Sequence, residues 1–184
     1  MLHEYLFLSR GGQGGVTATR ILATAAVTEG RYAQAIPEFG AERRGAIVRS
    51  YLRIGDEPIK RHSRIRRPEG VIVFSQRIAE LVGIERVSKG ARFVLVNTSS
   101  PRPLPGVKVF AVDATRIAVD LGLVIAGWPV VNTAMAGAFA RVVGIGLDAL
   151  LRAMEDFFRG KLLGTNREAA KRAYELVREV RGDG

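Results

Sequence analysis

The densest potential for chemistry lies in Ser9-Arg10-Gly11-Gly12-Gln13-Gly14-Gly15-Val16-Thr17-Ala18. Glycines let the backbone take positive φ and turn its N–H groups outward at the start of a helix, which is an anion-binding arrangement. Against the pattern G-x-G-x-x-G, positions 9, 11 and 14 read Ser, Gly and Gly, so the first glycine is missing. The acid that a dinucleotide site needs about 20 residues further on would be Glu38, which follows Pro37. Three readings stay open for this loop: a NAD or nucleotide site, a contact with a phosphate or a partner backbone, and a tight strand-to-helix turn.

Two further segments carry concentrated charge. Phe39-Gly40-Ala41-Glu42-Arg43-Arg44-Gly45 can present two guanidinium forks from a glycine-flanked loop, or it is a solvated turn with a local ion pair. Lys60-Arg61-His62-Ser63-Arg64-Ile65-Arg66-Arg67 is basic enough for a nucleic-acid patch. No aromatic residue interleaves it to stack on bases, so a surface meeting an acidic subunit, or a solvated strand end, fits better. Trp128 reads as loop or core packing, and Asp113 as a helix cap.

What is missing narrows the chemistry. There is no cysteine, which removes disulfides, thiolate zinc sites and protein-held iron–sulfur clusters. His3 and His62 are the only histidines and neither stands in a metal-ligand or triad pattern. No residue stands out as a general acid or base, so the expectation is a chain with no catalytic and no metal-ligating residues that assists a catalyst located elsewhere. The net charge of +10 comes mostly from arginine and favours phosphate-bearing ligands or acidic protein surfaces; thermophily or genome composition would also produce it. No apolar run reaches the roughly 18 residues of a membrane helix. Met1–Ser9 has no basic leader or cleavage site, so a cytoplasmic location is expected.

The elements that must position these residues follow from apolar spacing. Residues 2–8 read as a strand, 16–28 as a helix closed by Gly30, and 31–36 as a second strand, which together open like a Rossmann βαβ unit. Residues 46–54 alternate, with Val48, Ser50, Leu52 and Ile54 on one face and Ile47, Arg49, Tyr51 and Arg53 on the other; 58–63 could return as a hairpin. Residues 71–74, 93–96 and 107–112 are short β-branched runs of the buried parallel type. Helices are expected over 76–82, 113–121, 133–143, 147–158 and 167–180, the last capped by Asn166. The fold class is therefore α/β: a mostly parallel sheet with flanking helices in one domain spanning 1–184.

With those segments in view, the chain resembles the γ subunit of archaeal-type 2-oxoacid:ferredoxin oxidoreductases, the pyruvate and 2-ketoisovalerate enzymes in particular. The likeness rests on Gly11-Gly12-Gln13-Gly14 with Thr17-Ala18, on Gln34-Ala35-Ile36-Pro37 with Phe39-Gly40-Ala41-Glu42-Arg43-Arg44-Gly45-Ala46, and on Glu57-Pro58-Ile59. It continues through Val112-Asp113-Ala114-Thr115, Val131-Asn132-Thr133-Ala134-Met135, Gly160-Lys161-Leu162 and Arg172-Ala173-Tyr174-Glu175, so it runs in order along nearly the whole chain. Ser9, Arg49 and Ser50 depart from the family pattern. The resemblance implies a complex with α, β and δ subunits that passes electrons to ferredoxin. It also implies thiamine diphosphate, magnesium and iron–sulfur clusters on the other subunits, with coenzyme A as acyl acceptor. For this chain it implies a cover over the active site that helps admit coenzyme A. Gly11, Gly12, Gln13, Gly14, Arg43 and Arg44 are then the expected contacts to coenzyme A or to partner subunits.

Overall fold

The computed structural model describes residues 1–38 and 46–182. β1 (Leu2–Arg10) is the strand on which the rest is organised, because its second half is buried on both faces through Phe7, Leu8 and Ser9. The glycine turn delivers the chain into α1 (Gly15–Thr28), whose small and branched residues Ala18, Ile21, Leu22, Ala25 and Ala26 are all fully buried. β2 (Tyr32–Pro37) and β3 (Ile47–Gly55) follow, and β3 inserts antiparallel between β1 and β2. β4 (Gly70–Val73) and β5 (Phe93–Asn97) are buried along their whole length, and β6 (Lys108–Val112) over its C-terminal part, which suits strands covered on both faces. α2 (Gln76–Val82) and the single turn α3 (Ile84–Val87) separate β4 from β5, and α4 (Ala114–Asp120) follows β6. A two-residue-strand hairpin, β7 (Val124–Ile125) and β8 (Trp128–Pro129), leads to α5 (Asn132–Val143). α6 (Leu147–Ala153), α7 (Gly160–Leu176) and β9 (Arg178–Val180) complete the chain.

The sheet order is β2-β3-β1-β4-β5-β6-β9, with β1, β4, β5 and β6 successively parallel and β9 antiparallel on the far edge. Two antiparallel pairings put β2 in the same direction as β1, so five of the seven strands run one way. The fold is thus the expected α/β sheet, mixed and mostly parallel. On one face α1, α5, α6 and α7 pack together, and Phe139 of α5 meets Tyr5 and Phe7 of β1 at ring distances of 4.9 and 5.1 Å. No helix among the described residues is long and apolar enough to cross a membrane.

Three sequence expectations are corrected. The helix expected over 167–180 begins at Gly160 and stops at Leu176, and residues 178–180 pair with β6 instead. Asn166 is no cap: it is buried inside α7, where its Oδ1 accepts from Thr133 Oγ1 at 2.8 Å and its Nδ2 donates to Leu162 O at 2.9 Å. Residues 58–63 form no hairpin strand. They begin an irregular strap laid over the sheet face opposite α1, because the Arg53 guanidinium takes their carbonyls in place of a ladder partner. Its Nη1 donates to Arg61 O at 3.0 Å, its Nη2 to Ser63 O and its Nε to Glu4 Oε1 at 2.8 Å. Glu4 and Gln34 are the in-register neighbours of Arg53 on β1 and β2, so all three sheet positions serve one buried cation.

Candidate functional site

The turn from β1 into α1 is closed from within. Gln13 N donates to Arg10 O at 3.0 Å, and the Gln13 side chain accepts from Arg10 N at 2.6 Å. Gln13 therefore shapes the loop with its side chain rather than reaching outward. Gly12 and Gly14 take φ of +89° and +77°, which no β-carbon-bearing residue adopts without strain. Gly11 N donates to Ala46 O at 3.3 Å, so the start of β3 borders the loop. The amides of Gly12, Gly14, Gly15, Val16 and Thr17 have no hydrogen-bond partner among the described residues. No side chain caps α1 and no acid occupies its first turn, leaving the positive end of a 14-residue helix open.

A second helix end meets the first. Asn132 is the opening residue of α5 and is 6% exposed, with its Oδ1 accepting from Thr133 N at 2.9 Å. Its Nδ2 points at the loop: a Cβ on Gly14 would lie 2.5 Å from it. That Nδ2 has no partner among the described residues, and α5 also lacks a side-chain cap and a first-turn acid. Two helix N-termini without a first-turn acid thus meet where Asn132 approaches Gly14, beside a loop and first turn that carry five unpaired backbone N–H groups. Open helix N-termini and unpaired N–H donors are features that favour an anion.

Behind the loop sits the missing fingerprint glycine. Ser9 is buried with its Oγ unpartnered, and a Cβ on Gly15 would collide with that hydroxyl and stand 2.9 Å from Ser9 Cβ. Ser9 occupies the space that a glycine there would leave open, and Gly15 gives up its side chain in exchange. Ser50, whose Oγ is likewise buried and unpartnered, lies on the same side, with its Oγ 3.7 Å from that Cβ position.

In front of the loop stands Trp128. It is 63% exposed on the β7–β8 hairpin rather than packed in the core, and the Arg10 guanidinium lies 4.9 Å from its ring centroid. Neither Asn132 nor Arg10 draws attention as a site residue in the sequence, because their meeting depends on α5 folding back onto the β1 end.

The remaining candidates fall elsewhere. Glu38 does not turn toward the glycine loop. It accepts from Tyr51 Oη at 3.0 Å and pairs with Arg64 of the strap, which removes it from the role of a ribose-binding acid. Burial, then this hydrogen bond, holds the Tyr51 phenol above its ordinary pKa. Lys60, Arg61, His62, Arg64, Arg66 and Arg67 are exposed along the strap, anchored by the buried Ile65 and by Arg53. Arg43 and Arg44 lie outside the described residues; Glu38, whose N donates to Arg49 O, and Ala46 mark where their segment leaves and rejoins the sheet. A cleft of about 500 Å³ runs along the carboxyl ends of β4 to β6 past Ser75, Ser99, Asp113 and Arg116. Its buried amide, Asn97, is fully engaged with Phe74 and Thr115. Among the described residues no three His, Cys, Asp or Glu side chains gather in a way that would hold a metal.

Comparison with known proteins fits this arrangement into a wider group. The sequence pattern described as pyruvate ferredoxin/flavodoxin oxidoreductase matches residues 4–176. A pyruvate synthase subunit PorC from Methanothermobacter marburgensis is 42% identical over 176 residues, covering 95% of this chain and 97% of that protein. The common γ subunit of the pyruvate/ketoisovalerate oxidoreductases of Thermococcus litoralis is 39% identical over 180 residues, covering 94% and 95%. The crystal structure of pyruvate oxidoreductase subunit PORC from Thermotoga maritima superposes with a TM-score of 0.82 at 32% identity, covering 98% of this chain and 99% of that one.

Proposed function

Because the chain belongs to the pyruvate ferredoxin/flavodoxin oxidoreductase family and is a γ-type subunit of such an enzyme, without catalytic activity of its own, we propose that its glycine loop binds the diphosphate of coenzyme A. The chain then covers the active site of the complex and guides the coenzyme A thiol toward it. The convergence of two open helix N-termini and Asn132 Nδ2 on Gly14 carries the reading. Coenzyme A brings a diphosphate to that point, and its two negative charges on four non-bridging oxygens suit the free amides and the Asn132 donor in sign. Binding there costs no rearrangement of the loop, since Gln13 and Arg10 already hold it closed.

The division of labour follows from the residue inventory. With no cysteine, this chain offers no thiolates for iron–sulfur clusters, which together with thiamine diphosphate and magnesium are assigned to α, β and δ partners. Those subunits form the acyl group from pyruvate or 2-ketoisovalerate and pass electrons to ferredoxin; this chain supplies the acceptor. Arg43 and Arg44, which lie between Glu38 and Ala46 in the sequence, offer two guanidinium forks that suit either further phosphates or an acidic partner surface. The assembly works in the cytoplasm.

Reconstitution tests the proposal. Complexes assembled with and without this chain are compared for acyl-CoA formation at rising coenzyme A concentration. Loss of saturable coenzyme A use on omission, restored by adding the chain back, is the expected result. Unchanged coenzyme A dependence in a stable complex lacking the chain would overturn it.

A further inference from the structure

Resting on the coenzyme A reading, we propose that Trp128 is the platform on which the adenine ring of the nucleotide stacks, with Arg10 bracing the indole from its other face. Trp128 is the chain's single tryptophan, and burying an indole is normally the most favourable use of one. Here the ring is 63% exposed and its cross-strand neighbour Ile125 is 69% exposed. The hairpin that holds them is not a loose loop. Val130 N donates to Leu123 O at 2.8 Å, and Leu123 is buried, so the base of the hairpin is tied into the core. Its tip, Ala126-Gly127, takes φ of +50° and +81°, the doubly positive pair of a type I′ hairpin turn. Ala126 is the one non-glycine residue with positive φ among the described residues, so the chain accepts strain to keep the ring presented at this spot.

The position gives the ring its partner. Arg10 stacks on Trp128 through its guanidinium and joins the glycine loop through its backbone, whose N–H is bonded to Gln13. On the other side, Pro129, Val130 and Val131 connect Trp128 directly to Asn132. The same short segment therefore carries the aromatic face and the amide donor of the anion site. A ligand with its diphosphate on Gly14 has its base within reach of that face, and a purine is the flat, electron-poor group that an indole backed by a cation can take up. Ile125 closes the edge of the platform.

The test is a substrate comparison in the assembled complex. Trp128→Ala and Trp128→Phe variants are assayed with coenzyme A and with pantetheine, which carries the same thiol arm but no adenine nucleotide. Stacking contributions of the usual size correspond to about 5- to 150-fold in affinity. Trp128→Ala is expected to raise the coenzyme A KM by that factor at nearly constant kcat, with kcat/KM for pantetheine changing less than about twofold, and Trp128→Phe is expected to recover most of the loss. An unchanged coenzyme A KM would overturn the proposal. So would an equal loss with both thiols, or a complex that no longer assembles, which would make the hairpin a subunit contact. Failure of the underlying coenzyme A reading shows separately, as a coenzyme A KM that ignores Asn132→Asp.

Discussion

Replacing Asn132 by Asp inverts the sign of one contact while leaving its shape intact. The carboxylate retains the acceptor that Thr133 N uses at 2.9 Å, and it sits in the first turn of α5, where a negative charge is favourable by about 0.3–1 kcal/mol. Desolvation of a carboxylate at this buried position works against that gain, so the fold should tolerate the change with a melting temperature modestly below that of the parent chain. Ligand binding should not. The Nδ2 donor facing Gly14 is lost, and a hydrogen bond to a charged group contributes about 1.5–3 kcal/mol. A carboxylate about 4 Å from a phosphate charge adds repulsion of about 4 kcal/mol at an effective dielectric of 20, less where the site opens to solvent. Taking about 3–4 kcal/mol as the net loss, the coenzyme A KM of the complex rises by more than about 100-fold. Asn132→Ala removes the Nδ2 donor without adding charge, together with the acceptor of Thr133 N, and should cost about 10-fold in KM. The assay is steady-state acyl-CoA formation by complexes carrying each variant. A KM for Asn132→Asp within threefold of the parent, in a complex of normal stability, would refute the placement of an anion at Gly14.

Gly15→Ala should destabilise the chain by about 1–3 kcal/mol through overpacking against Ser9, and adding Ser9→Gly should restore most of the loss in denaturant melts; no rescue would show that the clash is not the cause. Arg53→Met leaves Glu4 and the Arg61 and Ser63 carbonyls without their buried partner, and should cost about 3–5 kcal/mol and open residues 57–67 to limited proteolysis. An intact strap in that variant would contradict the clasp. Burial raises the Tyr5 phenol pKa above its ordinary value of 10.0, so the neutral ring's contribution is complete below that pH and is lost as pH rises through and beyond it. Tyr5→Phe should flatten the alkaline limb of melting temperature against pH, and an unchanged limb would assign it to other groups.

The residues most legible in the sequence are those whose role is local. The glycine turn, α1 and the β-branched runs of β4, β5 and β6 depend on neighbours a few positions away, and they fold as their spacing implies. Alternation in β3 assigns Arg53 correctly to the face opposite Leu52, but does not show what covers that face. The strap comes from a segment whose composition signals only polarity, so a buried guanidinium holding it is invisible until the chain closes over the sheet. Asn166 has the side chain of a helix cap and precedes an apolar run of helical period, yet it lies inside α7, where Thr133 on α5 claims it as an interior hydrogen-bond partner. The candidate site shows the same division. Gly12 and Gly14 declare themselves as turn glycines, whereas Asn132 and Trp128 acquire their places from the docking of α5 and its hairpin against the end of β1.

The free backbone amides of the glycine loop are where the diphosphate would sit, and hydrogen–deuterium exchange reads them directly. In the assembled complex, peptides spanning residues 11–18 are followed with saturating coenzyme A, with pantetheine and with no addition. If the diphosphate sits on Gly12, Gly14, Gly15, Val16 and Thr17, exchange in these peptides slows with coenzyme A and is unaltered by pantetheine. Exchange that stays the same with saturating coenzyme A would show that no diphosphate rests on these amides.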